Sequence, residues 1–287
     1  MKHSNDFALF ILTHGRADNV ITYKKLRSAG YSGKIYLLID NEDDQHDLYV
    51  KKYGDQVIVF DKSKYAGKFD VGDNFKSYNA VVYARNACFD IAESLGLKYF
   101  MEYDDDYSSI EYKFNHRNEF GAHPIKNLDR IFDILIDYYQ SGGFFDLAMA
   151  QGGDWIGGAD NGFENRKGAR RKCMNTHILS TERRFNFLGK INEDVISPLV
   201  YGSRGVLFFT VPQVSITQKR TQSNTGGLTD IYLELGTYVK SFYSVMFAPS
   251  CVKCMMMGLS HKRIHHQVKW KFAVPRIIRE THKKMET

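Results

Sequence analysis

Apolar residues come in short blocks along the first hundred positions, and each block ends on glycine or polar residues. "FALFILTHG" closes on Thr13-His14-Gly15, "KIYLLID" on Asp40, "QVIVFDK" on Asp61, and "KYFMEYDDD" on Asp104-Asp105-Asp106. Blocks of this length, bounded by turn residues, predict four strands. Between them, apolar positions recur at helical spacing. Val20, Tyr23, Leu26 and Ala29 mark a helix within 17–29, and "QHDLYVKKYG" reads as a short helix closed by Gly54. Val81, Val82, Ala84, Ala87, Cys88, Ile91 and Leu95 mark a longer one over 78–96, with Gly96 just past its end. Strands alternating with helices at this spacing predict βαβ units and a parallel sheet.

The second half has a different rhythm. Residues 127–140 read as a helix, followed by the glycine-rich "QGGDWIGGADNG". Two strand-like pieces, "CMNTHILST" and "GVLFFTVPQVSIT", flank "NFLGKINEDVISPLVYG". This predicts a mixed, partly antiparallel region that carries loops. The expected fold class is α/β, with a mixed, mostly parallel central sheet flanked by helices.

Composition adds limits. A chain of 287 residues suits one large α/β domain or two small ones. No apolar run approaches the roughly 18 to 20 residues that span a bilayer. The N-terminal "MKHSNDFALFILTHG" reads as a first strand, not a signal peptide. Cys88 and Cys173 are isolated and only Cys251 and Cys254 form a close pair, which favours reduced thiols over a zinc site. No membrane is expected, and the expected place is the cytoplasm. The net charge of +6 is unevenly spread. Basic residues gather in "ENRKGARRK", residues 164–172, and in the tail from His261 onward, while aspartates concentrate in the first half. That asymmetry points to an acidic partner such as nucleic acid beside a domain that handles cations; a solvated basic face is the plain alternative.

Open α/β sheets bind ligands outside the carboxyl ends of their strands. The four polar strand ends should therefore meet at one crevice. On an extended backbone side chains alternate, so Asp104 and Asp106 should face one ion together. Hard oxygen ligands suit Mg²⁺ or Mn²⁺, which would offset charge building on a diphosphate leaving group. Asp105, pointing the other way, would reach a ribose hydroxyl or a structural donor. An exposed acidic turn is the alternative. In "INEDVI", Glu193 and Asp194 lie between apolar residues; such a carboxylate can serve as general base, or simply favour a helix N-terminus.

An N-terminal βαβ half, D-x-D after the fourth strand and a later E-D together resemble the GT-A class of nucleotide-sugar glycosyltransferases. A narrower resemblance lies in "TQKRTQSNTGGLTDIYLELGTYVKSFYSVMFAPSCVK", residues 217–253, which is similar to the phage-type glycosyltransferases associated with TET/JBP hydroxylases, thought to decorate hydroxymethylated pyrimidines in DNA. The resemblance implies a GT-A domain over 1–257, with a nucleotide-sugar half at 1–110, an acceptor half at 111–257 and a basic extension at 258–287. It implies that Thr13, Arg16, Asp40, Arg85, Asp104 and Asp105 contact the donor, that Asp104 and Asp106 hold the metal, and that Asp194, with Glu193 beside it, is the base. It also implies a late histidine on the metal: His261, or His265 or His266. Gln222 and Lys240 suit contacts to phosphate and sugar. Trp155 would stack on a base, and Arg166, Lys167, Arg170, Arg171 and Lys172 would meet DNA phosphates. The implied reaction moves a sugar from a UDP-sugar to 5-hydroxymethylcytosine. A glycosyltransferase acting on a glycan, lipid or protein, a nucleotidyltransferase, and a non-catalytic DNA-binding module are the rivals.

Overall fold

β1 (Phe7–Leu12) is buried at all six positions, the pattern of a strand covered on both faces. It pairs in parallel with β2 (Lys34–Asp40) on one side and with β4 (Tyr99–Asp104) on the other. β3 (Val57–Phe60) extends the parallel run beyond β2. The helices α1 (Ile21–Ser28), α2 (His46–Tyr53) and α3 (Val81–Ser94) make the connections. In this computed structural model the described residues are 1–74, 77–155, 158–159, 172–218, 239–258 and 262–273.

The sheet continues past β4 through strands of the second half: β5 (Tyr107–Phe114), β6 (Phe120–Pro124), β7 (Asp146–Gln151), β8 (His177–Ser180) and β9 (Phe208–Gln218). The order is β3-β2-β1-β4-β8-β7-β9-β5-β6. β8 is antiparallel to β4 and β7, β5 is antiparallel to β9 and β6, and β7 and β9 are parallel. The mixed sheet expected from the sequence is present, and its parallel run belongs to the first hundred residues. β7 and β9 run the same way, so Gln151 and Gln218 end at the same edge.

Period-two alternation divides the core. Phe7, Leu9, Ile11, Met101 and Tyr103 pack with Leu26, Tyr49 and the apolar face of α4 (Leu128–Gly142). Ala8, Phe10 and Phe100 pack on the other face under Val82, Cys88 and Phe89 of α3. α4 begins where the Asn127 side chain accepts from the Arg130 amide and ends at Gly143 in the left-handed region. α1 starts later than its pattern suggests, because Ala17 and Val20 are buried in the turn before it. α5 (Glu193–Gly202) and α6 (Val239–Phe247) follow β8 and β9. A separate hairpin pairs β10 (Val252–Met257) with β11 (Arg263–Val268) and leads into the short α7 (Trp270–Ala273). The boundary expected after residue 257 falls inside that hairpin.

The turn after α1 crosses the chain entering α4, with the Leu128 amide donating to the Ala29 carbonyl at 3.0 Å. Gly30 sits at this crossing with φ +85°, and a Cβ there would lie 2.2 Å from the Lys126 carbonyl oxygen. Gly30→Ala is therefore expected to lower the unfolding free energy by about 1–3 kcal/mol, measured from the urea midpoint. An unchanged midpoint would contradict this crossing.

Candidate active site

The ends of β1, β2 and β4 open on one cavity of about 520 Å³, within the roughly 300–1,000 Å³ usual for small-ligand sites. Thr13, His14, Arg16 and Asp40 line it from the first two strand ends, and Asp104, Asp105 and Asp106 from the third. Glu193 and Asp194 at the start of α5 and Lys240 on α6 also line it. The convergence expected of the strand ends is thus observed, joined by the E-D pair.

The acidic triplet is built differently from expectation. β4 stops at Asp104, and Asp105 and Asp106 form a turn before β5. Strand alternation therefore does not set the relation of Asp104 to Asp106. Anchors on α1 and β1 shape the turn instead. Thr22 Oγ1 donates to the Asp104 carbonyl at 2.6 Å and accepts from the Tyr107 amide at 2.9 Å. Asp105 is 2% exposed; it accepts from Thr13 Oγ1 at 2.7 Å and from Arg16 Nη1 at 3.0 Å. Tyr49 completes this latch, donating to Thr13 Oγ1 and accepting from the Arg16 amide, both at 2.8 Å. Of the two roles expected for Asp105, the structure fills the structural one.

Arg85, expected to contact the nucleotide, lies at the centre of an ionic cluster. It is 2% exposed. Its Nε donates to Glu193 Oε1 at 3.0 Å, Nη1 to Glu102 Oε2 at 3.3 Å and Nη2 to Asp104 Oδ1 at 3.3 Å. Glu193 is therefore engaged by Arg85, and Asp194 is the member of the pair without an ion pair among the described residues. Burial pushes the Glu102 carboxyl up to about 8 against the pull of Arg85. Burial also raises Asp104, to about 7, with Arg85 pulling down and Asp106 and Glu193 pushing up. Asp194 is raised by burial and by Glu193, with Arg85, Lys240 and Lys172 opposing.

The far wall is different. Asp40 accepts from His14 Nδ1 at 2.7 Å and pairs with Lys62 Nζ at 3.0 Å. Burial alone would raise its carboxyl, but these bonds overcome burial and hold it at about 2. At the other end, Asn192 sits at φ 62° before α5 and donates to Ser244 Oγ at 3.1 Å, tying α5 to α6. Ser197 Oγ donates to the Glu193 carbonyl at 2.7 Å, and Pro198 supplies no amide to the first turn.

Several expected residues behave otherwise. Trp155 is 6% exposed and packs against Phe114 and Phe120, so its ring is not presented as a platform for a base. Lys172 pairs with Asp154 at 2.9 Å. His266 has its Nδ1 3.1 Å from Ser244 Oγ, and burial lowers it to about 4; neither it nor His265 lines the cavity. Arg166, Lys167, Arg170, Arg171, Gln222 and His261 lie outside the described residues. The sequence reading overlooked Lys62, Tyr49 and three cavity amides, Gln151, Asn175 and Gln218. A polar residue ending an apolar block was the available signal for Gln151.

Among the described residues, no three His, Cys, Asp or Glu side chains are grouped to hold a metal by themselves. Asp106 Oδ1 is buried without a hydrogen-bond partner among the described residues. Asp104 and Asp106 line one cavity and are both raised mainly by burial. Two carboxylates, one with an orphaned oxygen, fit a Mg²⁺ or Mn²⁺ whose remaining ligands are water and substrate phosphate.

The model of a family described as TET-Associated Glycosyltransferase matches residues 7–227. No curated protein matches the sequence. Similar solved structures include S. aureus TarS 1-349 in complex with UDP-GlcNAc, at 12% identity and TM-score 0.40, covering 83% of this chain and 66% of that one. A second S. aureus TarS structure shares 14% identity at TM-score 0.43, covering 79% of this chain and 38% of that one. Glucosyl-3-phosphoglycerate synthase from Mycobacterium tuberculosis, in complex with Mn²⁺, uridine diphosphate and phosphoglyceric acid, shares 10% identity at TM-score 0.43, covering 91% and 86%. This chain thus spans less than two thirds of either TarS chain.

Replacing Arg85 leaves buried carboxylates without their shared cation. Arg85→Gln is expected to destabilise the protein by about 3–5 kcal/mol near neutral pH, measured by chemical denaturation. The folded values of Glu102 and Asp104, already raised by burial, would rise further and lie above their unfolded ones. Their protonated forms therefore favour the fold as pH falls, so the deficit should be smaller at pH 5.5 than at pH 8. A deficit independent of pH would contradict the cluster.

Proposed function

The chain belongs to the TET-associated glycosyltransferase family, and from that premise we propose that it moves a sugar from a UDP-sugar to the hydroxyl of 5-hydroxymethylcytosine in phage DNA. The observation that carries this reading is the meeting of Asp104 and Asp106 with Asp194 in one cavity. It brings a pair of carboxylates suited to a diphosphate-bound cation within one ligand's reach of a carboxylate suited to proton abstraction.

The nucleoside would lie toward Thr13, His14 and Asp40, with Arg16 and Lys62 contributing positive charge beside it. Asp104 and Asp106 would hold the Mn²⁺ or Mg²⁺ that accompanies the donor. When bound, that ion stabilises negative charge on the departing nucleoside diphosphate. Asp194 would take the proton of the acceptor hydroxymethyl group as its oxygen attacks the anomeric carbon. The bond from that carbon to the diphosphate oxygen breaks, and UDP leaves. A carboxylate raised above its ordinary range is a stronger base, which suits this step. Arg85, then Lys240, oppose that rise. The DNA acceptor is supported by the family's association with TET hydroxylases and by the basic cluster at 164–172.

Asp194→Asn is expected to cut turnover by about 10²–10⁴-fold and to leave UDP affinity unchanged by calorimetry. A fully active variant would place the base elsewhere. Because Asp194 is raised and must be ionised to act, kcat/KM should fall with decreasing pH along a limb above the ordinary aspartate range. A limb at the ordinary aspartate value would contradict the assignment. With hydroxymethylated DNA as acceptor, KM should rise about tenfold or more between 50 and 200 mM salt. Transfer that ignores salt would favour a glycan acceptor.

A further inference from the structure

Three amide side chains from neighbouring parts of the sheet edge meet on the cavity wall. Gln151 ends β7, Asn175 precedes β8 and Gln218 ends β9. They form a relay rooted on Asp104. Gln218 Nε2 donates to Asp104 Oδ2 at 3.4 Å. Asn175 Nδ2 donates both to Gln218 Oε1 at 2.9 Å and to Gln151 Oε1 at 2.6 Å.

The bonds share one orientation: Gln218 turns its nitrogen to Asp104 and its oxygen to Asn175. Asn175 then spends both N–H groups of its amide on the two glutamine oxygens. Two groups remain. Asn175 Oδ1 has no hydrogen-bond partner among the described residues, and Gln151 Nε2 has only the Met174 sulfur at 3.4 Å, a weak acceptor. The relay thus leaves one strong acceptor and one underused donor on adjacent residues lining the cavity.

The backbone holds this arrangement at a cost in conformation. Asn175 has φ +67°, a region rarely occupied by residues other than glycine, though more often by Asn than by most. It is kept there by the Tyr107 hydroxyl, which donates to its carbonyl, and by the Thr176 amide, which donates to the Met174 carbonyl at 2.8 Å. Thr176 Oγ1 in turn accepts from the Met149 amide at 2.8 Å. Strain retained at a cavity wall points to a role for the side chain displayed.

We propose that Asn175 and Gln151 are specificity-determining residues that read the hydroxyls of the sugar being transferred. This inference rests on the donor-binding reading above. A sugar hydroxyl donates and accepts at once, so it complements an amide oxygen beside an amide N–H. The relay begins on Asp104, the carboxylate assigned to the donor diphosphate, and the sugar is the donor group bonded directly to that diphosphate.

The test compares wild type, Asn175→Gly and Gln151→Leu by calorimetry with Mn²⁺. Glycine tolerates the left-handed backbone, and Gln151→Leu removes the outer amide while leaving the strand amide intact. The titrants are UDP, UDP-glucose, UDP-galactose and UDP-N-acetylglucosamine, which differ in the substituents the amides would read. Wild type should prefer one donor, and each variant should weaken that donor about tenfold or more, narrow the preference, and leave UDP unchanged. The inference is overturned if wild type does not discriminate, or if both folded variants keep the wild-type preference. It is also overturned if UDP weakens as much as the UDP-sugars. If wild type binds neither UDP nor any donor, the donor-binding reading fails and takes this inference with it.

Discussion

A single buried guanidinium joins the parts of this site. Arg85 reaches Glu102 and Asp104 on β4 and Glu193 at the start of α5, from a helix that packs over the sheet. Burying so many charges is costly, and the cost is tolerable only while the cation and its hydrogen-bonded partners stay together. The demand continues beneath the cluster, where His177 stands opposite Glu102 in the antiparallel register of β4 and β8. There His177 Nδ1 and Asp146 Oδ2 share a 2.7 Å hydrogen bond, with both residues buried. Residues more than a hundred positions apart are thus held in fixed relation by electrostatics that no local preference supplies.

From that constraint the division of labour among the acids follows. Arg16 holds Asp105, Lys62 holds Asp40, and Arg85 holds Glu193, Glu102 and one oxygen of Asp104. These pairs frame the cavity. Among the described residues, Asp106 and Asp194 enter no ion pair. The frame therefore concentrates unmet negative charge at two places, the Asp104–Asp106 turn and the head of α5. A cation carried with a diphosphate suits the first, and a hydroxyl proton suits the second.

Much of this was legible in the residue pattern, for a physical reason. Buried parallel strands are continuous apolar runs, and their ends must turn polar where they leave the core; the positions of Thr13, Asp40 and Asp104 announced themselves that way. The E-D pair was visible for the same reason, as acids between apolar residues. Tertiary contacts hid the rest. Arg85 reads as a basic residue on an amphipathic helix, and nothing nearby in sequence reveals that its partners lie on β4 and α5. Strand alternation puts Asp106 beside Asp104, but Thr22 ends the strand two residues earlier by binding the Asp104 carbonyl and the Tyr107 amide. Trp155 is expected to stack on a base, whereas Phe114 and Phe120 come from β5 and β6 to cover it. The amide relay requires three strand-edge residues to meet, and only the sheet order brings them together.

The central claim is that the turn at Asp104–Asp106 accepts a divalent cation together with a nucleoside diphosphate. Calorimetric titration of UDP into the metal-stripped protein, with and without Mn²⁺, addresses it most directly. Tight binding with Mn²⁺ that is largely lost in chelator, and lost again in Asp106→Asn with Mn²⁺ restored, is the result this account requires. Equal UDP affinity in chelator and in Mn²⁺ would contradict it.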